Sequence, residues 1–336
     1  MASGVFGGLH GLATGLLSAL LLLLLQGGAR AIAAPSSSPS PSVSFASPAP
    51  SVPSISPIDH HDLSRWCKRV TPRLPRIDQK ECASSGLKPT GAWSVKRVSI
   101  LSRQITADKA VRNPLRILLV GGIHGDELTS SAVVFEWMRA QAMAPRQDFH
   151  WHIVPILNPD GLLARKPSRM NASGVDLNRN FPTPGWHKEA PAWWVKKTRR
   201  DPRRYPGRSP LSEPETRWLH EEIERFRPNL LVSVHAPFGV LDFDGPAQPP
   251  ERFGNLRIDR VGVYPGSLGN YGGHYKKIPV VTIELANARA MPTARETRRI
   301  WEDMQRWIVI NLSAGSRSGP SLVADQTSLL RKPSAP

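Results

Sequence analysis

The sequence predicts a single α/β domain, because strand-like apolar runs alternate with amphipathic helical patterns over most of its length. The chain has 336 residues, and about 250 remain once an N-terminal leader and the Ser- and Pro-rich segments are set aside, which suits one such domain. Polar residues follow several predicted strands, and open α/β sheets bind ligands at the carboxyl ends of their strands. We find no internal repeat. The sequence therefore predicts one sheet with a site at its carboxyl edge.

The predicted elements alternate between strand and helix. Short apolar runs bounded by turn residues favour buried strands, and apolar residues at three- and four-residue spacing favour helices. The expected strands lie near residues 116–120, 149–157, 229–235 and 279–284. The expected helices lie near 127–142, 212–226 and 293–310.

Residues 1–33 predict a secretory signal peptide. The apolar stretch Gly11–Leu25 ends in six consecutive leucines and is followed by small residues suited to cleavage near Ala31 or Ala33. The first ten residues contain no Lys or Arg, so an uncleaved membrane anchor is the alternative. The apolar run is short for a full span of about 20 residues, and no cysteine follows it for lipoprotein processing. We therefore expect a periplasmic or secreted protein without a membrane span after processing.

Two further segments are too poor in apolar residues to build a core. Residues 34–58 consist mostly of Ser, Pro, Ala and Val, a composition that favours extended, polyproline-like chains and predicts a disordered linker. Residues 313–336 return to a Ser-, Pro- and Gly-rich composition and predict a disordered tail.

The chain has two cysteines, Cys67 and Cys82, and both lie in the segment 59–94 that precedes the predicted catalytic domain, 95–312. In an oxidising compartment they are expected to form a disulfide, the alternative being two independent buried thiols. Closing a loop of about 15 residues in this way contributes on the order of 3 kcal/mol by chain entropy.

The formal net charge of +17 raises the question of nucleic-acid binding. The densest basic run, Lys196–Arg204, lies in a predicted long loop and not in a recognisable nucleic-acid-binding module. We therefore expect no nucleic-acid partner and attribute the charge to attraction toward anionic envelope polymers or peptides. Trp193 and Trp194 are either core residues or, with 186–204, part of a mobile rim beside the site.

A candidate metal site begins at the junction of the first predicted strand and helix. His124 and Glu127 lie there, after the glycine pair that breaks the strand, and His235 ends a later strand. Imidazole nitrogens and carboxylate oxygens suit Zn²⁺, and a catalytic zinc typically has three protein ligands and an open position. The three residues predict one zinc ion per chain.

The segment 158–182 carries Asn-Pro-Asp-Gly, Ser-Arg-Met-Asn-Ala and Gly-Val-Asp-Leu-Asn-Arg-Asn-Phe-Pro. Together with the His-x-x-Glu pair, these motifs resemble the zinc carboxypeptidase family over roughly residues 95–310. The resemblance implies a mixed, mostly parallel twisted sheet with helices on both faces. It also implies that His124, Glu127 and His235 bind the zinc.

The resemblance assigns roles to four further residues. Arg169, before the Asn-Ala step, would polarise the scissile carbonyl, and the Asn178–Arg179 pair would hold a terminal carboxylate of the substrate. Glu284, at the end of the last predicted strand, would be the general base. The family's substrate-capping tyrosine has no single equivalent, because Tyr264, Tyr271 and Tyr275 all fall in the relevant region.

Within the family, the chain is most similar to the bacterial murein peptide amidases, on the basis of residues 212–216, 235–237 and 264–269. This resemblance implies an exported zinc hydrolase that cuts the γ-D-glutamyl–diaminopimelate bond of peptidoglycan stem peptides, with a peptide or muropeptide as its partner. The alternative is a zinc deacylase acting on small N-acyl amino acids, similar to aspartoacylases and succinylglutamate desuccinylases. A third possibility is an inactive peptidoglycan-binding protein, which the complete set of site residues argues against.

Overall fold

The computed structural model describes residues 60–312. The predicted signal peptide, 1–33, the linker, 34–58, and the tail, 313–336, lie outside the described residues. Within residues 60–312, no helix combines the length and the apolar character needed to cross a bilayer.

One sheet organises the described part of the chain. Its strands, in chain order, are β1 (Lys88–Trp93), β2 (Ser99–Ile105), β3 (Arg116–Val120), β4 (His150–Val154), β5 (Leu230–His235), β6 (Val240–Asp244), β7 (Arg252–Phe253), β8 (Leu256–Ile258) and β9 (Val280–Glu284). Their order across the sheet is β1-β2-β4-β3-β5-β9-β6-β8-β7. The central strands β4, β3, β5 and β9 are parallel, whereas β2 and β6 flank them in antiparallel pairing. The mixed α/β sheet predicted from the sequence is confirmed.

Helices cover both faces of this sheet. They are α1 (His60–Val70), α2 (Gln79–Ala83), α3 (Leu128–Ala142), α4 (Pro159–Leu163), α5 (Trp186–Lys196), α6 (Pro214–Phe226) and α7 (Ala294–Asn311). Alternation along β3 shows how the layers form: Ile117 and Leu119 pack into the core under α3 and α7, while Leu118 and Val120 pack into the core under α6. A strand buried on both faces reads as a continuous apolar run.

Every strand and helix expected from the sequence is present within a few residues of its predicted bounds. The sequence left a core position or a mobile rim open for the segment beside the basic run. Here Trp186–Lys196 forms α5, and Trp186 is buried at its first turn. Trp193 and Trp194 are half-buried, and the basic residues 196–204 end in a single 3₁₀ turn, Pro202–Arg204.

A disulfide joins Cys67 in α1 to Cys82 in α2, as expected from the sequence. Both cysteines are fully buried, and the apolar residues around them, such as Leu63 and Trp66, belong to the same core as α3 and α7. The indole Nε1 of Trp66 also donates to the carbonyl of Ser99 at 3.1 Å. The disulfide therefore holds α1 and α2 together, and their apolar packing and the Trp66 hydrogen bond attach them to the core of the sheet.

We expect both cysteines to resist thiol labelling until the protein is reduced. The variant with both Cys67→Ser and Cys82→Ser should lose about 3 kcal/mol of unfolding free energy, because its unfolded chain regains loop entropy. Urea unfolding of the oxidised protein, the reduced protein and this variant measures the loss. Labelling of both thiols before reduction would show that the bond is absent.

Candidate active site

The parallel strands bring the predicted site residues together at one edge of the sheet. His235 and Glu284 end β5 and β9 and are direct partners in the register between these strands. His124 and Glu127 lie in the turn that leads from β3, the other neighbour of β5, into α3. Residues far apart in sequence thus meet because the carboxyl ends of parallel strands share an edge.

The His124–Glu127–His235 cluster has the geometry of a metal site. Its candidate ligand atoms lie within 4.8 Å of one another, and all three residues are buried. The two Nδ1 atoms are 3.1 Å apart, and the oxygens of Glu127 lie 2.7 and 3.0 Å from Nδ1 of His124 and His235. Burial raises the pKa of Glu127, but the two histidines outweigh it and lower the pKa overall. Two nitrogen atoms this close to a carboxylate require a proton or a metal cation between them.

A carboxylate that the sequence analysis did not assign, Asp176, orients this cluster. Its Oδ1 lies 3.1 Å from Nε2 of His124, and the residue is completely buried. Such a carboxylate holds a proton on Nε2, so the Nδ1 lone pair faces the cluster. The hydroxyl of Ser233 lies 2.9 Å from Nε2 of His235 and occupies the equivalent position there. The only sequence signal for Asp176 is its place in the Gly-Val-Asp-Leu-Asn-Arg motif.

The cationic guanidinium of Arg169 lies against the same cluster. Its Nε donates to Oδ2 of Asp176 at 3.0 Å, and one terminal nitrogen lies 3.1 Å from Nδ1 of His124. Burial lowers the pKa of Arg169, but Asp176 and Glu127 raise it by more. Asp176 shows the reciprocal effect: burial raises its pKa, and Arg169 and His124 hold it well below its usual range. The guanidinium therefore stays charged beside the cluster.

Glu284 is a buried carboxylate, and one of its oxygens is available to accept a proton. Its Oε2 has no hydrogen-bond partner among residues 60–312, and the side chain is buried at the end of β9. Burial is the main cause that raises the pKa of Glu284, while His235 acts in the opposite direction. Lys276, which precedes β9, pairs with Glu224 and not with Glu284.

Arg179 lies in an aromatic box formed by Trp193 and Tyr264. The centre of its guanidinium is 4.4 Å from the Tyr264 ring and 5.1 Å from the Trp193 ring. Aromatic faces stabilise the cation but accept few hydrogen bonds, and Nε of Arg179 has no partner within residues 60–312. Burial lowers the pKa of Arg179 to about 10, so the side chain is charged at neutral pH. Asn178 lies beside it, with Oδ1 accepting from the backbone of Leu268 at 2.8 Å.

The structure distinguishes the three tyrosines that the sequence left equivalent. Tyr264 contacts Arg179 and donates its hydroxyl proton to the carbonyl of Val261 at 2.6 Å. Tyr271 is buried and donates to Glu224 at 3.0 Å. Tyr275 packs against Tyr271 and is half exposed. Tyr264 is therefore the tyrosine positioned beside Arg179.

Three histidines outside the site have partners of their own. Nδ1 of His152 lies 2.6 Å from Glu222, and His220 lies 2.7 Å from the hydroxyl of Tyr271. His274 pairs with Asp244 at 2.9 Å.

Comparison with known proteins agrees with this geometry. A zinc carboxypeptidase family model matches residues 90–242. Murein peptide amidase A of Escherichia coli (strain K12) is 38% identical over 127 residues, which cover 37% of this chain and 50% of that protein. The match thus spans about half the length of that relative. Murein peptide amidase A of Vibrio campbellii is 32% identical over 182 residues, covering 52% of this chain and 71% of that protein.

A solved structure of thrombin activatable fibrinolysis inhibitor has the same fold, with a TM-score of 0.51 and 17% identity over 74% of this chain and 72% of that one. Together with the sequence match to the Vibrio campbellii protein, the family model and the site geometry lead to one conclusion. The chain belongs to the zinc carboxypeptidase family.

Proposed function

We propose that the protein is an exported zinc-dependent hydrolase that cleaves a peptide or γ-glutamyl amide bond next to a free carboxylate. The observation that carries the proposal is the convergence of the His124–Glu127–His235 cluster with Arg169 and with the Glu284 oxygen that has no partner within residues 60–312. We propose peptidoglycan stem peptides, cut between γ-D-glutamate and diaminopimelate, as the substrate. The names of the relatives from Escherichia coli and Vibrio campbellii, both murein peptide amidases, support this choice.

The donor set suits one zinc ion. Two imidazole nitrogens and a carboxylate are a common ligand set for catalytic zinc. When bound, zinc supplies a Lewis acid that polarises a carbonyl and lowers the pKa of water. The partners on the far side of each imidazole, Asp176 and Ser233, hold the rings so that Nδ1 faces the cluster.

The remaining residues supply acid–base chemistry and charge. Glu284 would take a proton from the attacking water and later deliver it to the leaving amine, for which a raised pKa is suitable. Arg169, held by Asp176, would donate to the oxyanion that forms on the scissile carbonyl. Arg179 would bind the free carboxylate of the leaving residue, since that carboxylate offers the acceptors that the aromatic box lacks.

The location and domain organisation belong to the same proposal. Disulfides persist in oxidising compartments, so the Cys67–Cys82 bond supports export to the periplasm or beyond. The proposed organisation is a signal peptide, a linker, the disulfide-bearing segment 59–94, a catalytic domain over 95–312 and a tail.

Digestion of purified muropeptides, read by mass spectrometry, tests the proposed function. Release of diaminopimelate-containing products by the zinc-loaded protein would support it. Hydrolysis of small N-acyl amino acids without action on muropeptides would favour the deacylase alternative.

We expect Asp176→Asn to weaken zinc binding about 10- to 100-fold, because the His124 ring loses the carboxylate that fixes its tautomer. Competition with a chromogenic chelator measures the zinc affinity. Asp148→Asn, which removes a carboxylate from an exposed ion pair, is the matched control. Unchanged zinc affinity in Asp176→Asn would show that Asp176 does not support the metal site.

Glu284→Gln should lower kcat by several orders of magnitude, since the amide keeps the shape of the side chain but cannot accept the proton of water. Zinc content and substrate binding should persist in this variant. Glu302→Gln, an exposed change on α7, controls for the substitution itself. Near-normal turnover of Glu284→Gln would exclude Glu284 as the general base.

Arg179→Ala should mainly raise KM, because the carboxylate it contacts is present in both the ground state and the transition state. The variant should also lose the preference for a free C-terminal carboxylate over its amide. Steady-state kinetics with a matched acid and amide substrate measure both effects. A wild-type protein that cleaves the two equally would contradict the carboxylate-binding role.

A further inference from the structure

A third arginine, Arg204, is close enough to Arg169 and Arg179 for their charges to interact, and the sequence assigned it no role. It ends the 3₁₀ turn Pro202–Arg204 and is half-buried. Its guanidinium makes no hydrogen bond or ion pair with any residue in the described range 60–312. A half-buried cation without a partner is costly unless a ligand supplies the counter-charge.

Contacts on both sides of Arg204 fasten it to the active site. Arg203 donates to Oδ2 of Asp126 at 2.9 Å, and Asp126 lies between the two metal-site residues His124 and Glu127. On the other side, the carbonyl of Tyr205 accepts from the backbone N–H of Asp176 at 2.8 Å. Arg204 is therefore held against the cluster by its immediate chain neighbours.

The two carboxylates that act on Arg204, Asp201 and Asp176, already accept hydrogen bonds. Oδ1 of Asp201 accepts from the backbone N–H of Arg203 at 2.9 Å. Both oxygens of Asp176 accept hydrogen bonds, Oδ2 from Arg169 and Oδ1 from the backbone of Asn178, and Oδ1 also contacts His124. Burial and the neighbouring charge of Arg169 lower the pKa of Arg204. The guanidinium of Arg204 thus carries a positive charge at the site, and no group within residues 60–312 accepts a hydrogen bond from it.

We propose that Arg204 binds a second carboxylate of the substrate, on the acyl side of the scissile amide. The next residue, Tyr205, accepts from the backbone N–H of Asp176, and the carboxylate of Asp176 holds Arg169 at the proposed position of the scissile carbonyl. Arg179 instead holds the carboxylate of the leaving residue. Arg204 therefore lies toward the carbonyl side. The inference rests on the proposed function and specifies its substrate class.

This arrangement selects amides formed through a side-chain carboxyl group. In an ordinary α-peptide, the α-carboxyl of the acyl residue is itself the scissile carbonyl, so no free carboxylate remains close to the reacting carbon. In a γ-glutamyl amide, the α-carboxylate is free and lies a few bonds from that carbon. A planar guanidinium binds such a group through two parallel hydrogen bonds. Arg179 and Arg204 would then hold two carboxylates on either side of one amide.

The test compares two substrates that differ only in the acyl-side carboxylate. One is L-alanyl-γ-D-glutamyl-diaminopimelate, and the other carries the α-carboxamide of the glutamyl residue. We expect the zinc-loaded wild-type protein to prefer the acid by about 10- to 100-fold in kcat/KM, the range of a charge-assisted hydrogen bond. Arg204→Gln should remove most of this preference, and Arg204→Lys should restore part of it.

Arg208→Gln is the matched control, because Arg208 is an exposed arginine four positions later and its loss changes the net charge equally. This variant should keep the wild-type preference. Equal kcat/KM for the two substrates in the wild-type protein would overturn the inference. So would an Arg204→Gln variant that loses activity on both substrates by the same factor, since that result indicates a purely structural role.

A binding measurement separates this inference from the proposed reaction. Titration calorimetry of the Glu284→Gln protein with each peptide reports affinity without turnover. We expect tighter binding of the acid by about 10-fold or more, and equal binding of the two peptides when Arg204→Gln is added. If wild-type protein cleaves neither peptide, the proposed reaction fails while these affinities still decide the role of Arg204. Equal affinities in the Glu284→Gln protein would reject it.

Discussion

The rest of the site depends on the hydrogen bonds of one buried carboxylate, Asp176. One oxygen fixes the His124 ring and the other holds the guanidinium of Arg169, so a single side chain sets both the His124 nitrogen that faces the cluster and the cation beside it. Its backbone N–H also bonds to the carbonyl of Tyr205, which fixes the end of the turn that carries Arg204. A fully buried carboxylate is stable there because its neighbours compensate the loss of hydration.

The parts of the fold that could be predicted are those that a local sequence pattern identifies. Strands β3, β5 and β9 are buried on both faces, so they appear in the sequence as uninterrupted apolar runs between turn residues. Strand β6, Val240–Asp244, was missed because it is only five residues long, contains two aspartates and lies between Gly239 and Gly245, a composition typical of a loop. The edge strand β1 contains Pro89 and Gly91, and all of its residues are exposed or partly exposed, so it shows no apolar run in the sequence.

The candidate site likewise contains residues that the sequence could predict and residues that it could not. His124, Glu127 and His235 were found because their types and strand-end positions suit a metal. Roles for Arg169, Asn178, Arg179 and Glu284 required the resemblance to a family, since each residue alone is compatible with an ordinary surface position. The contacts of Trp193 and Arg203 could not be foreseen, because they depend on how α5 and the following turn fold back over residues distant in the chain. No local pattern encodes such tertiary contacts.

Strand β1 closes one edge of the sheet by pairing with β2, and the disulfide-linked helices before it share the core under α3 and α7. The segment 59–94 is thus a structural part of the sheet as well as the piece that precedes the site. A shorter chain beginning at residue 95 would leave Ser99–Ile105 with a row of unpaired backbone N–H and C=O groups. Such an edge is a template for pairing with other chains, so the N-terminal segment also protects the folded molecule against self-association.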